Sequence, residues 1–271
     1  MNRYYVSGIV KLGLLKLLVI TSRLPISLCY FVTDLIAILA FLVLYQKRIS
    51  VRNNLIRILN KKPTLYDNLK VFIEYGRYWA ELPRIDEIWR NSSKKICGPD
   101  FPPAEKRFLG ITFHIGNFEI FGSALYPFLK SDFFVVAENL KPKFLADHFS
   151  LCRKQHHIQT VFHNDLRRII KVLKEGNSLG VVCDRMIGGN GVKVRLFGKS
   201  VCMPLNIVKF ALQNEIPVYV AYCVKESNEY KIHCQKINVN TDYEDAVKQI
   251  ALVIENTVRN YPYQWHVLSA I

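Results

Sequence analysis

His114 and Glu119 sit five positions apart in the run His114, Ile115, Gly116, Asn117, Phe118, Glu119, directly after the apolar residues 108–113. A neutral imidazole is the side chain most readily available as a general base near pH 7. A carboxylate beside it can fix its tautomer and offset the imidazolium charge that forms. Such a pair suits the deprotonation of an alcohol. Seven histidines and 22 acidic residues in 271 positions make a chance pair of this spacing ordinary, so its setting carries more weight than the spacing. On an ideal helix a five-residue step turns about 140°, which puts the two side chains on different faces. They converge only if His114 lies outside the helix, in the turn before it. Gly116 tolerates positive φ and Asn117 is a favoured N-cap, so the two supply that turn. Glu119 then falls in the first helical turn, where the helix dipole favours negative charge. A surface histidine beside a capped helix would show the same residues.

The elements that must position this pair are legible from residue 107 onward. Apolar runs occur at 107–113, 133–138, 158–162, 178–184, 192–197 and 217–224. Several lack polar alternation, as expected for strands covered on both faces. Helical segments near 118–128, 142–156, 164–175, 204–214 and 242–259 separate many of them. The rhythm predicts an α/β fold with a largely parallel central sheet flanked by helices. Active sites of such sheets gather beyond the carboxyl ends of strands. His114 stands just past one such end and Asp184 past another. Upstream, residues 50–60 and 66–82 read as helices. The chain divides into membrane-anchoring hydrophobic helices (1–46), a helical lead-in (47–106) and an α/β catalytic region (107–271), with 47–271 forming one domain.

Net charge is +15, and ten basic side chains against the single acid Asp34 fall within residues 1–62. This stretch is also the most apolar of the chain. Basic residues rimming apolar helices suit an anionic bilayer surface, whereas nucleic-acid binding calls for Lys and Arg interleaved with aromatics and glycines on a polar face. Membrane is therefore the expected partner, and nucleic acid is not. Residues 24–45 carry one charge and would extend about 33 Å as a helix, enough to cross a bilayer. Asp34 at the middle opposes crossing by roughly 2.5–3.5 kcal/mol. The segment either spans or lies in the membrane. The seven cysteines form no CxxC pair and no metal-ligand spacing, and read as buried free thiols in a reducing compartment. No metal and no cofactor is expected. Gly188, Gly189, Asn190 and Gly191 read as a flexible turn, since they open no helix.

The hexapeptide His114–Glu119 resembles the His-x4-Asp/Glu motif of the lysophospholipid/glycerol-3-phosphate acyltransferase superfamily. More narrowly it is similar to the H-x-G-N-x-E of the bacterial lipid A biosynthesis (lauroyl/myristoyl) acyltransferases. Further stretches follow in the family's order. Arg52, Asn53, Asn54 and Leu55 resemble its early Arg/Asn-Leu segment. Arg153 holds the place of an Arg that follows a helix entry, here Asn139, Leu140, Lys141 and Pro142. Asp184-Arg185 stands where the family carries Asp-Gln. Phe197-Gly198-Lys199, then Pro204 and Ile216-Pro217-Val218, resemble its F-F-G-x-P-A…G-x-P-V-V-P segment, and Pro262-Tyr263-Gln264-Trp265 its Pro-Glu-Gln-Trp. The resemblance runs from about residue 10 to the C-terminus. Arg185 in place of Gln, and Cys202-Met203 in place of small residues, are departures that bear on acceptor identity and acyl-chain length.

The resemblance implies acyl transfer from a thioester, carried on acyl-carrier protein or coenzyme A, to a hydroxyl of a lipid or glycolipid acceptor such as a lipid A precursor. His114 would be the general base and Glu119 would orient its ring. Backbone N–H groups from Gly116 to Phe118, with Asn117 among them, would meet the oxyanion. Arg153 would meet an anionic headgroup or the oxyanion. Asp184 would contact Arg153 or the acceptor, Phe197 and Gly198 would shape an acyl groove, and Trp265 would pack. Free thiols and the basic rim place the catalytic region on the cytoplasmic side, and the resemblance points to a bacterial inner membrane. Two other readings keep the same scaffold: a catalytically silent lipid- or partner-binding protein, and an esterase that uses water in place of the acceptor.

Overall fold

The computed structural model describes Gly13 and residues 24–92, 96–97, 106–139, 143–155, 157–186, 188, 190–227, 229–238 and 242–271. The first apolar segment expected at the N-terminus and the Leu140–Pro142 part of the helix entry lie outside the described residues, Gly13 excepted. The chain opens with α1 (Ile26–Val43), α2 (Tyr45–Leu59), α3 (Leu65–Glu81) and α4 (Ile85–Ser92). Strands β1 (Ile96–Cys97), β2 (Leu109–Thr112), β3 (Phe133–Ala137), β4 (Ile158–Phe162) and β5 (Ser178–Val182) follow, with α5 (Phe118–Leu125), α6 (Lys143–Gln155) and α7 (Leu166–Lys174) between them. Then come β6 (Val192–Leu196), β7 (Lys199–Met203), α8 (Asn206–Gln213), β8 (Val218–Glu226), β9 (Glu229–Lys236) and α9 (Tyr243–Asn260).

Seven strands form one sheet in the order β1-β9-β8-β2-β5-β3-β4. All its pairings are parallel except β8 with β9. The apolar runs at 107–113, 133–138, 158–162, 178–184 and 217–224 are its strands, as their unbroken hydrophobicity implied. Four strands differ from the sequence expectation: β6 in its placement, and β1, β7 and β9 because no apolar run marked them. The run at 192–197 leaves the sheet and pairs with β7 as a separate antiparallel hairpin. Phe197 and Gly198 form its two-residue turn, both at positive φ (49° and 76°), which suits the twist of paired strands. Strand β9 also went unread, although Tyr230, Ile232 and Cys234 alternate inward along it.

One sheet face packs against α7, α8 and α9 through Val172, Leu173, Val208, Ile250 and Ile254, all wholly buried. The other packs against α5 through Ile120, Ala124 and Leu125. Burying one such Leu or Ile stabilises by roughly 1.5–3 kcal/mol. A third apolar cluster joins α1, α2 and α3 through Ala37, Phe41, Val51, Leu55, Val71 and Phe72. Helix α3 starts on a capping box: the Asp67 N–H donates to Thr64 Oγ1, while the Thr64 N–H donates to Asp67 Oδ2. A cap of this kind adds about 1 kcal/mol.

The C-terminal segment straps the pieces together. Gly116 N–H donates to the Gln264 carbonyl (2.9 Å) and His266 N–H to the His114 carbonyl (2.7 Å). Buried Asn54 donates to the carbonyls of Val267 and Ser269 and accepts from Ile271 N–H. The Arg/Asn-Leu segment therefore anchors the strap that crosses the turn after β2. Of the cysteines described, Cys29, Cys183, Cys223 and Cys234 are buried. Cys202 is exposed, against expectation, because it lies on the outer face of the two-stranded hairpin, whose inner face carries buried Val194, Leu196 and Met203.

Candidate active site

Parallel pairing of β2 with β5 sets the site. Thr112 and Val182 are register partners, so the chain positions two beyond each, His114 and Asp184, emerge side by side. His114 Nδ1 lies 2.6 Å from Asp184 Oδ1. Asp184 Oδ2 accepts from the His114 backbone N–H (2.9 Å) and from the Trp265 indole N–H (2.8 Å). Burial of this carboxylate alone would raise its pKa. The adjacent His114 and the three donors outweigh burial and hold Asp184 below its ordinary value. An ionised Asp184 accepts, so the Nδ1 proton belongs to the neutral His114 ring and the lone pair sits on Nε2. Among the described residues no hydrogen bond reaches that Nε2, and the side chain is partly open to solvent.

Glu119 does not meet His114. Its carboxylate forms a two-point pair with Arg153 of α6, Nη2 to Oε1 at 2.7 Å and Nε to Oε2 at 3.4 Å. The expectation that Glu119 orients the ring is thus corrected, as is the expectation of an Asp184–Arg153 contact. Glu119 lies on the first turn of α5, facing α6, while the strand end of β5 brings its own carboxylate to the histidine. Phe118 links the two pairs: its ring meets His114 edge-on at 5.3 Å.

The turn between His114 and α5 is held on all sides. Gly116 has φ +55°, and a Cβ there would lie 2.0 Å from the Cys223 carbonyl oxygen, so only glycine fits. The Asn117 N–H donates to that same carbonyl. Two of the three N–H groups expected to meet the oxyanion are therefore already engaged, Gly116 with Gln264 and Asn117 with Cys223. Asn117 stands at the N-cap position, but its side-chain amide donates to Glu81 Oε2 (3.0 Å) and its Oδ1 is buried without a partner. It is wholly buried, so it shapes the turn from inside the protein and does not face a substrate. Glu81, 2% exposed, is also met by the hydroxyls of Tyr30 and Tyr230 and by Lys225.

His266, unread in the sequence, lies under the same turn. Its Nε2 bonds the Gly116 carbonyl at 2.8 Å and its ring packs against Tyr75 and Tyr78. Burial lowers its pKa to about 4; nearby His114 pushes the same way, while the Gly116 bond and Asp184 oppose. Trp265 does more than pack, since it donates to Asp184. Phe197 is buried against Trp265, ring centroids 5.6 Å apart, and Gly198 is an exposed hairpin turn. Neither lines the apolar slot that opens beside Arg153. That slot lies between α5 and the sheet and is lined by Gly110, Thr112, Phe133, Val135, Ile158, Gly180 and Val182. Glu119, Arg153 and Phe118 also line it. Arg185 is exposed and pairs with Glu138 at 2.5 Å. Among the described residues, no group of three His, Cys, Asp or Glu side chains could hold a metal ion.

A mostly parallel α/β sheet thus carries a His–Asp pair at adjacent strand ends, beside an apolar slot. The chain belongs to the bacterial lipid A biosynthesis acyltransferase family, whose model matches residues 2–270. No curated protein matches it. It is an acyltransferase, and the family implies an acyl donor and a lipid acceptor.

Proposed function

We propose that this enzyme moves a fatty acyl group from a thioester of acyl-carrier protein or coenzyme A to a hydroxyl of a lipid A precursor or a similar glycolipid. The transfer takes place at the cytoplasmic face of a bacterial inner membrane. The observation that carries this reading is the His114–Asp184 bond, which leaves the Nε2 lone pair for an acceptor hydroxyl. As the acceptor oxygen attacks the thioester carbonyl, its proton passes to Nε2, and buried Asp184 offsets the imidazolium charge. The tetrahedral intermediate collapses by breaking the C–S bond. The departing thiolate takes the proton back from His114, so no acyl-enzyme forms.

The acyl chain enters at the slot lined by Gly110, Gly122, Val135, Gly180 and Val182, a cavity of about 60 Å³ that holds only part of it. Arg153, braced by Glu119, brings positive charge to the slot for the oxyanion or an acceptor phosphate. With the Gly116 and Asn117 N–H groups engaged, the first-turn N–H groups of α5 beyond them are the backbone donors left for the oxyanion.

Lipid mass spectrometry on cells expressing wild type or His114→Ala at matched protein levels tests the reading. A lipid heavier by one acyl group, made only by wild type, is the expected result. The same lipid made by the variant removes His114 as base, and His114-dependent release of free fatty acid would mark a hydrolase.

A further inference from the structure

Helix α1 is long and apolar enough to cross a membrane by length and composition. Its packing points elsewhere. Cys29, Thr33, Ala37 and Phe41, one residue in every four, form a buried stripe along the helix. The stripe lies lengthwise on α3. A Cβ at Gly76 would meet the Thr33 carbonyl at 3.1 Å and Ala37 Cβ at 3.5 Å, so the two backbones approach closely there. Phe41 meets Phe72 edge-on at 5.4 Å.

Polar contacts fasten the same face. Arg77 grips Asp34 through two hydrogen bonds, 3.0 and 2.7 Å, and so pairs the one charge at mid-helix. Tyr30 donates to Glu81 at 2.6 Å. Helix α3 cannot follow α1 into hydrocarbon: it carries Asp67, Asn68, Glu74, Arg77 and Glu81, and Tyr78 stacks on Phe118 at the turn after β2. A crossing α1 would have to drag these groups with it or tear free of them.

The opposite face of α1 is exposed among the described residues. Leu28, Phe31, Leu35, Leu39 and Leu42 fall on one side at helical spacing, with Phe31, Leu39 and Leu42 at 61%, 62% and 61% exposed. The neighbouring surface is aromatic, apolar and basic: Tyr45, Ile49 and Ile56 are exposed on α2 together with Lys47 and Arg52. Lys61, Lys62, Leu65 and Tyr66 follow in the next turn, also exposed. Asp34 is the only acid in residues 24–66, and Arg77 neutralises it. An apolar row with a basic rim, of which Lys61 lies near Asp67, matches an anionic lipid surface.

We propose that α1 lies flat in the headgroup region of an anionic bilayer, with its Leu28, Phe31, Leu35, Leu39 and Leu42 face toward the acyl chains, and does not cross. The inference rests on the membrane-bound reading above and adds its geometry. It also sets the catalytic domain against the surface from which a lipid acceptor would enter, since α3 joins α1 to the turn carrying His114.

The full chain carrying Phe31→Trp, Leu35→Trp, Leu39→Trp or Leu42→Trp, one at a time, tests it. Each variant is bound to vesicles of phosphatidylcholine and phosphatidylglycerol containing lipid brominated either near the headgroup or at the chain middle. Quenching is read relative to wild type. Expected is similar quenching at all four positions, stronger with bromines near the headgroup. Strongest mid-chain quenching at Leu35→Trp or Leu39→Trp, with weaker quenching toward the ends, would mean a crossing helix and overturn the proposal. No added quenching at any position, while the protein still floats with vesicles, would mean that residues 1–23 or a second copy cover this face, and would overturn it too. Failure of wild type itself to float with the vesicles would remove the membrane-bound reading as well. Acyl transfer measured in detergent would then show whether the enzymatic reading survives it.

Discussion

His114 and Asp184 are 70 residues apart in the chain and 2.6 Å apart in space, because each lies two positions beyond a registered pair on adjacent parallel strands. Glu119, five positions from His114, bonds Arg153 instead. The histidine and its carboxylate partner are thus supplied by two strand ends, and the carboxylate nearest in sequence pairs with the neighbouring guanidinium.

The first prediction separates those two carboxylates. Asp184→Asn keeps a side chain of the same shape but removes the charge that selects the Nδ1–H tautomer. It should lower kcat by about 10³–10⁴-fold with little change in KM. Glu119→Gln leaves that bond intact and loosens Arg153, so its effect should fall on KM as well as kcat. Steady-state acyl transfer by both variants decides the matter. A mild Asp184→Asn beside a kcat-only collapse in Glu119→Gln would reverse the two assignments.

Trp265 should prove to be a positioning residue for Asp184. Trp265→Phe preserves an aromatic ring against Phe197 and deletes the indole N–H that Asp184 Oδ2 accepts. Losing a donor to a buried charge costs about 1–3 kcal/mol. If part of that cost is felt in the transition state, kcat should fall by roughly tenfold. Chemical denaturation and initial rates measured on the same preparation check both. A variant with wild-type kcat would reduce Trp265 to packing.

His266 makes a prediction about pH. Its folded pKa is about 4 against an ordinary 6.5, chiefly because it is buried. Below 6.5 the unfolded chain takes up a proton that the folded chain refuses until about pH 4. Stability from this group is therefore complete above 6.5 and is lost as pH falls toward 4, by about 3 kcal/mol in all. Asp184, also depressed when folded, adds loss only at still lower pH, below its ordinary 3.8. Urea melts of wild type and His266→Gln at about pH 7 and about pH 4.5 test this. Gln can still donate to Gly116 but does not titrate, so its stability should drop less. Equal drops would mean that another group is responsible.

Much of this arrangement was legible in the sequence. Unbroken apolar runs gave away the buried parallel strands, and the strand-to-helix switch after residue 113 located the turn. Asp184 was visible as a strand-end residue, but strand order is a long-range property that local periodicity does not carry. Only the β2–β5 neighbourship makes Asp184, and not Glu119, the partner of His114. Hairpin β6–β7 was misread for a related reason: its turn uses Phe197 at positive φ, a conformation that a bulky residue rarely advertises. Glu81 left a fainter sign, a charge three positions from Tyr78 on the buried face of α3, and its four partners come from α1, β8, β9 and the turn after β2.

The slot beside Arg153 should measure acyl chains. Ile158 and Phe133 line it, together with three glycines, Gly110, Gly122 and Gly180. The clearance is narrow: a Cβ on Gly122 would meet Ile158 Cδ1 at 2.6 Å. Ile158→Ala therefore removes the wall that Gly122 faces. Destabilisation of about 2–5 kcal/mol is expected from the cavity. Added acyl chain could fill that cavity, so the preferred donor should shift toward longer chains. Gly122→Ala should do the reverse, narrowing the slot at the same point and favouring shorter donors, at an overpacking cost of about 1–3 kcal/mol. Competition between thioesters of graded length, with products resolved by mass spectrometry, reads the preference separately from total activity. Opposite shifts in the two variants would tie chain length to the Gly122–Ile158 contact. An unchanged length distribution in both, even with reduced turnover, would put the acyl chain elsewhere.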